Sequence, residues 1–173
     1  MDTIPESYNY LLGKIIQITR EFLEQKDGML PHLLILGNDE RQDLLPVPMI
    51  YSDYAEKLLA IKVAKVAAKV FKADFVVHVC EAWALRSEKF ASIQDAVKQL
   101  EQHGSMEDTP GREEIILFTL ETPVGIWMGN AALKPLPNGY RTIDDPKFTK
   151  PDGAEGLFID LLPRSKDGNH PVH

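Results

Sequence analysis

Three side chains with chemical potential stand close together in one apolar stretch of the chain: His78, Cys80 and Glu81. A cysteine nucleophile needs a base within hydrogen-bond distance and a third group that orients this base. If the stretch is a β-strand, His78 and Cys80 share one face about 7 Å apart, while Glu81 points to the opposite face. The stretch therefore has the residue types of a hydrolase without bringing them into contact. The ordinary interpretation is a small apolar core cysteine beside a buried, hydrogen-bonded histidine.

Trp83, Arg86 and Arg112 are the candidate ligand-binding residues. Together with Glu81, Trp83 and Arg86 can line a cleft at the end of a strand, where sites of α/β proteins often lie. Arg112 lies within the acidic run at 107–114, directly before Glu113 and Glu114, and can bind an anionic ligand at the edge of a sheet. Three of these residues also have a structural interpretation: Glu81 paired to an arginine, Trp83 in the core or at its rim, and Arg112 neutralising its acidic neighbours.

The histidines do not form a metal-binding motif by their spacing. They are His32, His78, His103, His170 and His173, and no two are four residues apart. His32 precedes the first predicted strand and can approach His78 only through the fold. The chain also has no glycine-rich phosphate-binding loop and no Gly-x-Ser-x-Gly nucleophile elbow. We therefore predict no metal and no cofactor, and the absence of a catalytic motif favours a protein that is not an enzyme.

The composition is that of an ordinary globular protein, with 44% hydrophobic and 26% charged residues among 173. A net charge of −7 argues against a broad surface for nucleic acid. No apolar run approaches the roughly 20 residues that a membrane span needs. We therefore expect neither nucleic acid nor a membrane as partner, and the small-molecule ligand stays unassigned. Residues 1–162 are predicted to form one domain, and the polar tail at 163–173 is predicted to be disordered.

Cys80 is the only cysteine, so no disulfide can form within the chain. A reducing compartment follows as the expectation. The first residues lack the basic and then apolar pattern of a signal peptide, which predicts a cytoplasmic protein.

Three helices are predicted from the spacing of apolar residues. The first begins near Thr3, which with Glu6 has the pattern of a capping box, and ends at Gly28. Ser7 is an alternative cap. The second runs over 52–72, and a shorter one over 92–104.

The second helix has three distinct sides at helical spacing. The branched side is expected to cover the sheet, and the alanine side is expected to receive the first helix. The lysine side is a solvated ridge that can also attract an acidic partner. The branched side comprises Leu59, Val63, Val66 and Val70. The alanine side comprises Ala60, Ala64, Ala67 and Phe71. The lysine side comprises Lys62, Lys65, Lys69 and Lys72.

The strands are predicted from short apolar runs between turn residues. Residues 33–36 and 75–83 are predicted as buried strands, and two prolines place 44–50 at a sheet edge or outside the sheet. A meander follows at the C-terminal end. If Thr122 and Gly125 close its first turn, Leu120 faces Trp127. The further predicted elements of the meander are a third strand at 140–143, an irregular excursion at 144–155 and a last strand at 157–162.

These elements predict a single α+β domain whose sheet is mainly antiparallel and ends in the C-terminal meander. Two long helices from the N-terminal half and one short helix pack on it. The leading functional hypothesis is a non-catalytic binding or accessory domain that self-associates as a homo-oligomer, because the elements carry more apolar surface than one layer of helices needs. One alternative is a small hydrolase that uses Cys80 and His78 with Glu81 or Arg112 nearby. The other is a docking protein whose lysine ridge meets an acidic partner.

Overall fold

A computed structural model describes residues 3–26, 28–85, 89–151 and 161–162. Its helices are α1 (Glu6–Gln25), α2 (Tyr54–Phe71) and α3 (Ile93–His103). Its strands are β1 (Leu33–Asn38), β2 (Asp43–Pro48), β3 (Phe75–Leu85), β4 (Arg112–Thr122), β5 (Gly125–Pro135), β6 (Arg141–Ile143) and β7 (Lys147–Thr149). Arg86, the predicted strand segment at 157–160 and the predicted tail at 163–173 lie outside the described residues.

The strands form one antiparallel sheet in the order β2-β1-β3-β4-β5-β6, and β7 pairs with β5 as well. The α+β class is therefore confirmed, with the helices in the N-terminal part and a run of strands after α3. β2, which contains Pro46 and Pro48, is an edge strand as predicted. Neither proline has a backbone N–H to donate, so an edge is the place where both fit.

The long central strand β3 is covered on both sides at its beginning. Alternate residues of a strand point to opposite faces, and Val77 belongs to a different core cluster from Val76. α1 packs on the Val77 face, and α2 packs on the Val76 face. The two long helices therefore lie on opposite sides of the sheet, and the predicted contact between them is wrong.

The orientation of α2 also differs from the prediction. Its buried residues are Ile61, Ala64 and Ala68, whereas the branched stripe that was expected to cover the sheet faces outward. Small side chains let the helix approach the sheet closely, and this determines which side packs. The start of α1 differs too, because Pro5 occupies the N-cap position and no side chain caps the helix.

The predicted register of the first turn of the meander is confirmed. Leu120 pairs with Trp127, and Thr122 pairs with Gly125 where the turn closes. Gly129, opposite Phe118, leaves the space in which the ring of Phe148 packs. Phe148 belongs to β7, so the predicted irregular excursion at 144–155 contains a strand. The third meander strand is confirmed as β6.

Candidate functional site

The register of β1 against β3 brings His32 to His78 and Cys80. Leu33 is opposite Val79, and Leu34 is opposite His78. His32 is the residue just before β1, so it comes level with Cys80 on the same face of the sheet. His78 and Cys80 lie 46 and 48 positions after His32 in the chain. The three residues thus form one cluster on the face that α2 covers.

The polar atoms of this His-Cys cluster are close together. The potential ligand atoms of His32, His78 and Cys80 all lie within 4.8 Å of one another. The Nε2 atoms of the two histidines are in direct contact, and their ring centroids are 4.5 Å apart. His78 is buried, whereas His32 and Cys80 are half-buried. The cluster therefore lies at the boundary between core and solvent.

Tyr51, in the segment that leads into α2, holds His32 in place. Its hydroxyl lies 2.8 Å from Nδ1 of His32 in a hydrogen bond. The capping residues of α2 follow directly: Asp53 accepts a 2.8 Å bond from the backbone N–H of Glu56, and the carboxylate of Glu56 accepts a 2.7 Å bond from the N–H of Ser52. This reciprocal cap fixes the chain at Tyr51 relative to the helix. The His-Cys cluster is thereby connected to α2.

The cluster is electrically neutral in the absence of a bound ion. Burial lowers the pKa of His78 to about 3, with further contributions from His32 and Lys57. Burial also lowers the pKa of His32, and Lys57 adds to this effect. Burial, followed by the charge of Glu81, raises the pKa of the Cys80 thiol. Both imidazoles are therefore unprotonated bases near pH 7, and the sulfur is a thiol.

Glu81 lies on the opposite face, as the strand period predicted, and belongs to a separate ion pair. Its carboxylate accepts hydrogen bonds of 2.8 and 3.0 Å from the guanidinium of Arg141. The backbone N–H of Leu30 also donates a 2.5 Å bond to it. The interpretation of Glu81 as the partner of an arginine is confirmed. This pair ties β3 to β6 and to the loop that follows α1.

Trp83 and Arg112 form a contact at the far end of β3. The guanidinium carbon of Arg112 lies 4.9 Å from the centre of the Trp83 ring, a cation–π distance. An apolar cavity of about 290 Å³ lies at the same end of the strand. Its walls are Leu85, Phe90, Ser92, Ala96, Val97, Leu100 and Met106. The described part of the predicted cleft therefore separates into an ion pair, a stacked pair and an apolar cavity, rather than one polar site.

A second feature with functional potential is the outer surface of α2. The apolar stripe, comprising Leu59, Val63, Val66 and Val70, is exposed at 62%, 54%, 63% and 78%. The lysine ridge, comprising Lys62, Lys65, Lys69 and Lys72, is exposed beside it. Tyr54 and Leu58 add further exposed apolar area at the beginning of the helix. Apolar and basic side chains thus follow the same exposed helix.

Comparison with protein-family models, curated proteins and solved structures gives no match to this chain. In the part of the chain that the structure describes, each helix is too short or too polar to cross a membrane.

Spacing alone could not place two residues of the site: His32 of the His-Cys cluster, and Tyr51, which contacts it. His32 lies 46 positions before His78, so the sequence alone did not predict their contact. Only the strand register brings the two histidines together. Tyr51 lies 19 positions after His32, and its hydrogen bond to that residue likewise depends on the fold. The signal that would have found His32 is the pairing of the apolar strand that follows it with the apolar strand that contains His78.

Proposed function

We propose that this protein is a non-catalytic accessory domain that self-associates through the outer surface of α2. The observation that carries the proposal is the apolar stripe, in which four branched side chains are more than half exposed. Monomeric proteins rarely leave a contiguous apolar surface of this kind in water, and such surfaces mark interaction sites. The single cysteine, which can form no disulfide within the chain, supports a cytoplasmic location for it.

A second copy of the chain is the occupant that this stripe suits best. Interfaces between identical subunits are more apolar than other interfaces and resemble a core cut in half. The stripe contains only valine and leucine, residues typical of a core. A second copy is the partner that is always present at the same concentration. Two-fold symmetry then places one stripe against the other.

The lysine ridge gives this association a characteristic dependence on salt. Each copy brings four lysines to the border of the interface, and their mutual repulsion is screened as the ionic strength rises. Self-association should therefore strengthen in salt. Docking of the lysine ridge on an acidic partner, the alternative function, should weaken in salt because the attraction between opposite charges is screened.

Sedimentation equilibrium and light scattering of the full chain test the proposal. Val66→Glu places a charge in the stripe and should reduce the association constant at least tenfold. Val124→Glu is the matched control, because both valines are 63% exposed and Val124 lies in the β4–β5 turn, far along the chain from α2. A strictly monomeric wild type at high micromolar concentration, or equal effects of the two variants, would contradict the proposal.

The hydrolase alternative has less support from the site. A nucleophilic cysteine is activated by a lowered thiol pKa, whereas burial raises the pKa of Cys80. Glu81 lies on the other face in its ion pair with Arg141. Slow labelling of Cys80 by a thiol reagent, accelerated by denaturant, is the expected result for a thiol in this setting.

A further inference from the structure

The geometry points to a metal site: we propose that His32, His78 and Cys80 bind a divalent transition-metal ion, with Zn²⁺ as the best fit. The proposal uses residues other than those of the apolar stripe, so it stands independently of the proposed function. It also revises the expectation from histidine spacing that the chain holds no metal.

The distances suit a single ion. Zinc binds histidine nitrogen at about 2.0–2.1 Å and cysteine sulfur at about 2.3 Å. In a tetrahedral site, ligand atoms are then roughly 3.3–3.8 Å apart. The ligand atoms of the cluster lie within 4.8 Å of one another, with the two histidine nitrogens in contact. Small side-chain rotations therefore suffice to seat an ion among them.

The ligand types select the metal. Imidazole and thiolate suit zinc and other late transition metals, whereas Mg²⁺ and Ca²⁺ prefer carboxylate and carbonyl oxygen. Three protein ligands leave one position of a tetrahedron for a solvent molecule. Binding replaces the S–H bond of Cys80 with a metal–sulfur bond and releases the proton to solvent. The histidines lose no proton, because each offers the lone pair of Nε2.

Tyr51 acts as the positioning residue for His32. When Nε2 of His32 binds the ion, Nδ1 carries the proton and donates a hydrogen bond to the hydroxyl oxygen of Tyr51, at the observed separation of 2.8 Å. Outer partners of this kind orient ligating histidines, and their removal typically costs roughly 10- to 100-fold in metal affinity. Tyr51 leads into α2, so the ion would join β1, β3 and the start of that helix.

Lys57 carries a positive charge near the cluster that opposes a cation. Its ammonium lies 5.4 Å from the centre of the Tyr51 ring, and its charge contributes to the lowered pKa of both histidines. The thiolate of Cys80 offsets this positive charge once the ion is bound. Lys57→Met should therefore bind metal more tightly than the wild type.

Zn²⁺ titration of chelator-treated full-length protein, in competition with a chromophoric chelator, tests the site. We expect one ion per chain. Cys80→Ser and His32→Gln should each lose more affinity than the roughly 10- to 100-fold expected for an outer-shell change such as Tyr51→Phe. His103→Gln, at the end of α3, is the matched control and should bind as the wild type does. Circular dichroism without metal identifies any variant that fails to fold.

Co²⁺ supplies a second readout that does not depend on stability. A thiolate–cobalt charge-transfer band should appear in the wild type and in His103→Gln, and should be absent in Cys80→Ser. Zinc binding that survives Cys80→Ser and His32→Gln would overturn the proposal. Binding lost only in a double His170→Gln and His173→Gln variant would do the same, since it would assign the metal to the C-terminal histidines.

Discussion

The two faces of the sheet are packed by different types of side chain. On the α1 face, large side chains such as Phe75, Phe118 and Trp127 are almost fully buried, and α1 inserts Leu11 and Ile15 among them. On the α2 face, the helix contributes alanines, Ile61 and the partly buried Phe71, and the sheet beneath carries polar residues such as His78 and Cys80. One face thus resembles an ordinary core, whereas the other combines thin apolar packing with a polar cluster.

This difference between the faces separates the residues that stabilise the fold from the residues of the candidate functional features. Large apolar side chains bury the most area, and each contributes roughly 1.5–3 kcal/mol when fully buried. A buried alanine contributes little to the free energy of unfolding, but it lets a helix approach the sheet closely. The larger apolar residues of such a helix can then lie on its outer surface. In α2 these larger residues form the exposed apolar stripe. The α1 face therefore holds the domain together, and the α2 face carries both candidate functional features.

The largest test of this comparison is the same substitution on both helices. Ile15 of α1 is 0% exposed, and Ile61 of α2 is 7% exposed. Truncation of a buried isoleucine to alanine typically costs about 2–5 kcal/mol in the free energy of unfolding. We expect Ile15→Ala near the upper end, because large neighbours surround the cavity, and Ile61→Ala near the lower end. Urea unfolding of both variants measures the difference, and equal losses would contradict it.

The glycines of the α1 face provide the next test. A Cβ on Gly129 would lie 2.7 Å from two ring carbons of Phe148. Gly129→Ala should therefore destabilise the protein by about 1–3 kcal/mol through overpacking. Gly13→Ala is the matched control, because nothing lies within 4 Å of its Cβ position in α1. It should stabilise the protein by up to about 1 kcal/mol through helix propensity. Thermal unfolding that gives both variants the same sign would refute this account of the packing.

Much of the α1 face was predictable from local patterns. The register of the β4–β5 hairpin followed from a two-residue turn that placed large residues opposite small ones, and Leu120 does face Trp127. A strand has a period of two, so one correct pair determines the whole face. The prolines of β2 likewise excluded it from the centre of the sheet, and it is an edge strand. Local chemistry was sufficient in these regions.

The α2 face was not predictable in this way. Its helix has two apolar sides, and periodicity alone cannot tell which one meets the sheet. The branched side was the wrong choice because close approach favoured Ala64 and Ala68. His32 joined His78 only through the pairing of β1 with β3, which is a long-range contact. Sequence spacing therefore reached the cysteine and one histidine of the cluster, whereas the other histidine required the fold.

The smallest change in the free energy of unfolding is expected for Val66→Ala, and it is the most informative test of the apolar stripe. In the isolated chain, Val66→Ala should raise the free energy of unfolding by a few tenths of a kcal/mol, because alanine is the better helix former and little buried area is lost. Val76→Ala, the same change at a side chain only 1% exposed beneath α2, should cost about 1.6 kcal/mol for two lost methyl groups. Chemical unfolding at several protein concentrations separates the two.

Concentration determines the sign for Val66→Ala. If a second copy covers the stripe, the gain at low concentration turns into a loss as the dimer forms, since the truncated side chain then leaves a gap in the interface. Val76 is buried whether or not a partner is present, so its cost should stay constant. An effect of Val66→Ala that does not change with concentration, in protein shown to be dimeric by sedimentation, would place the interface elsewhere on the molecule.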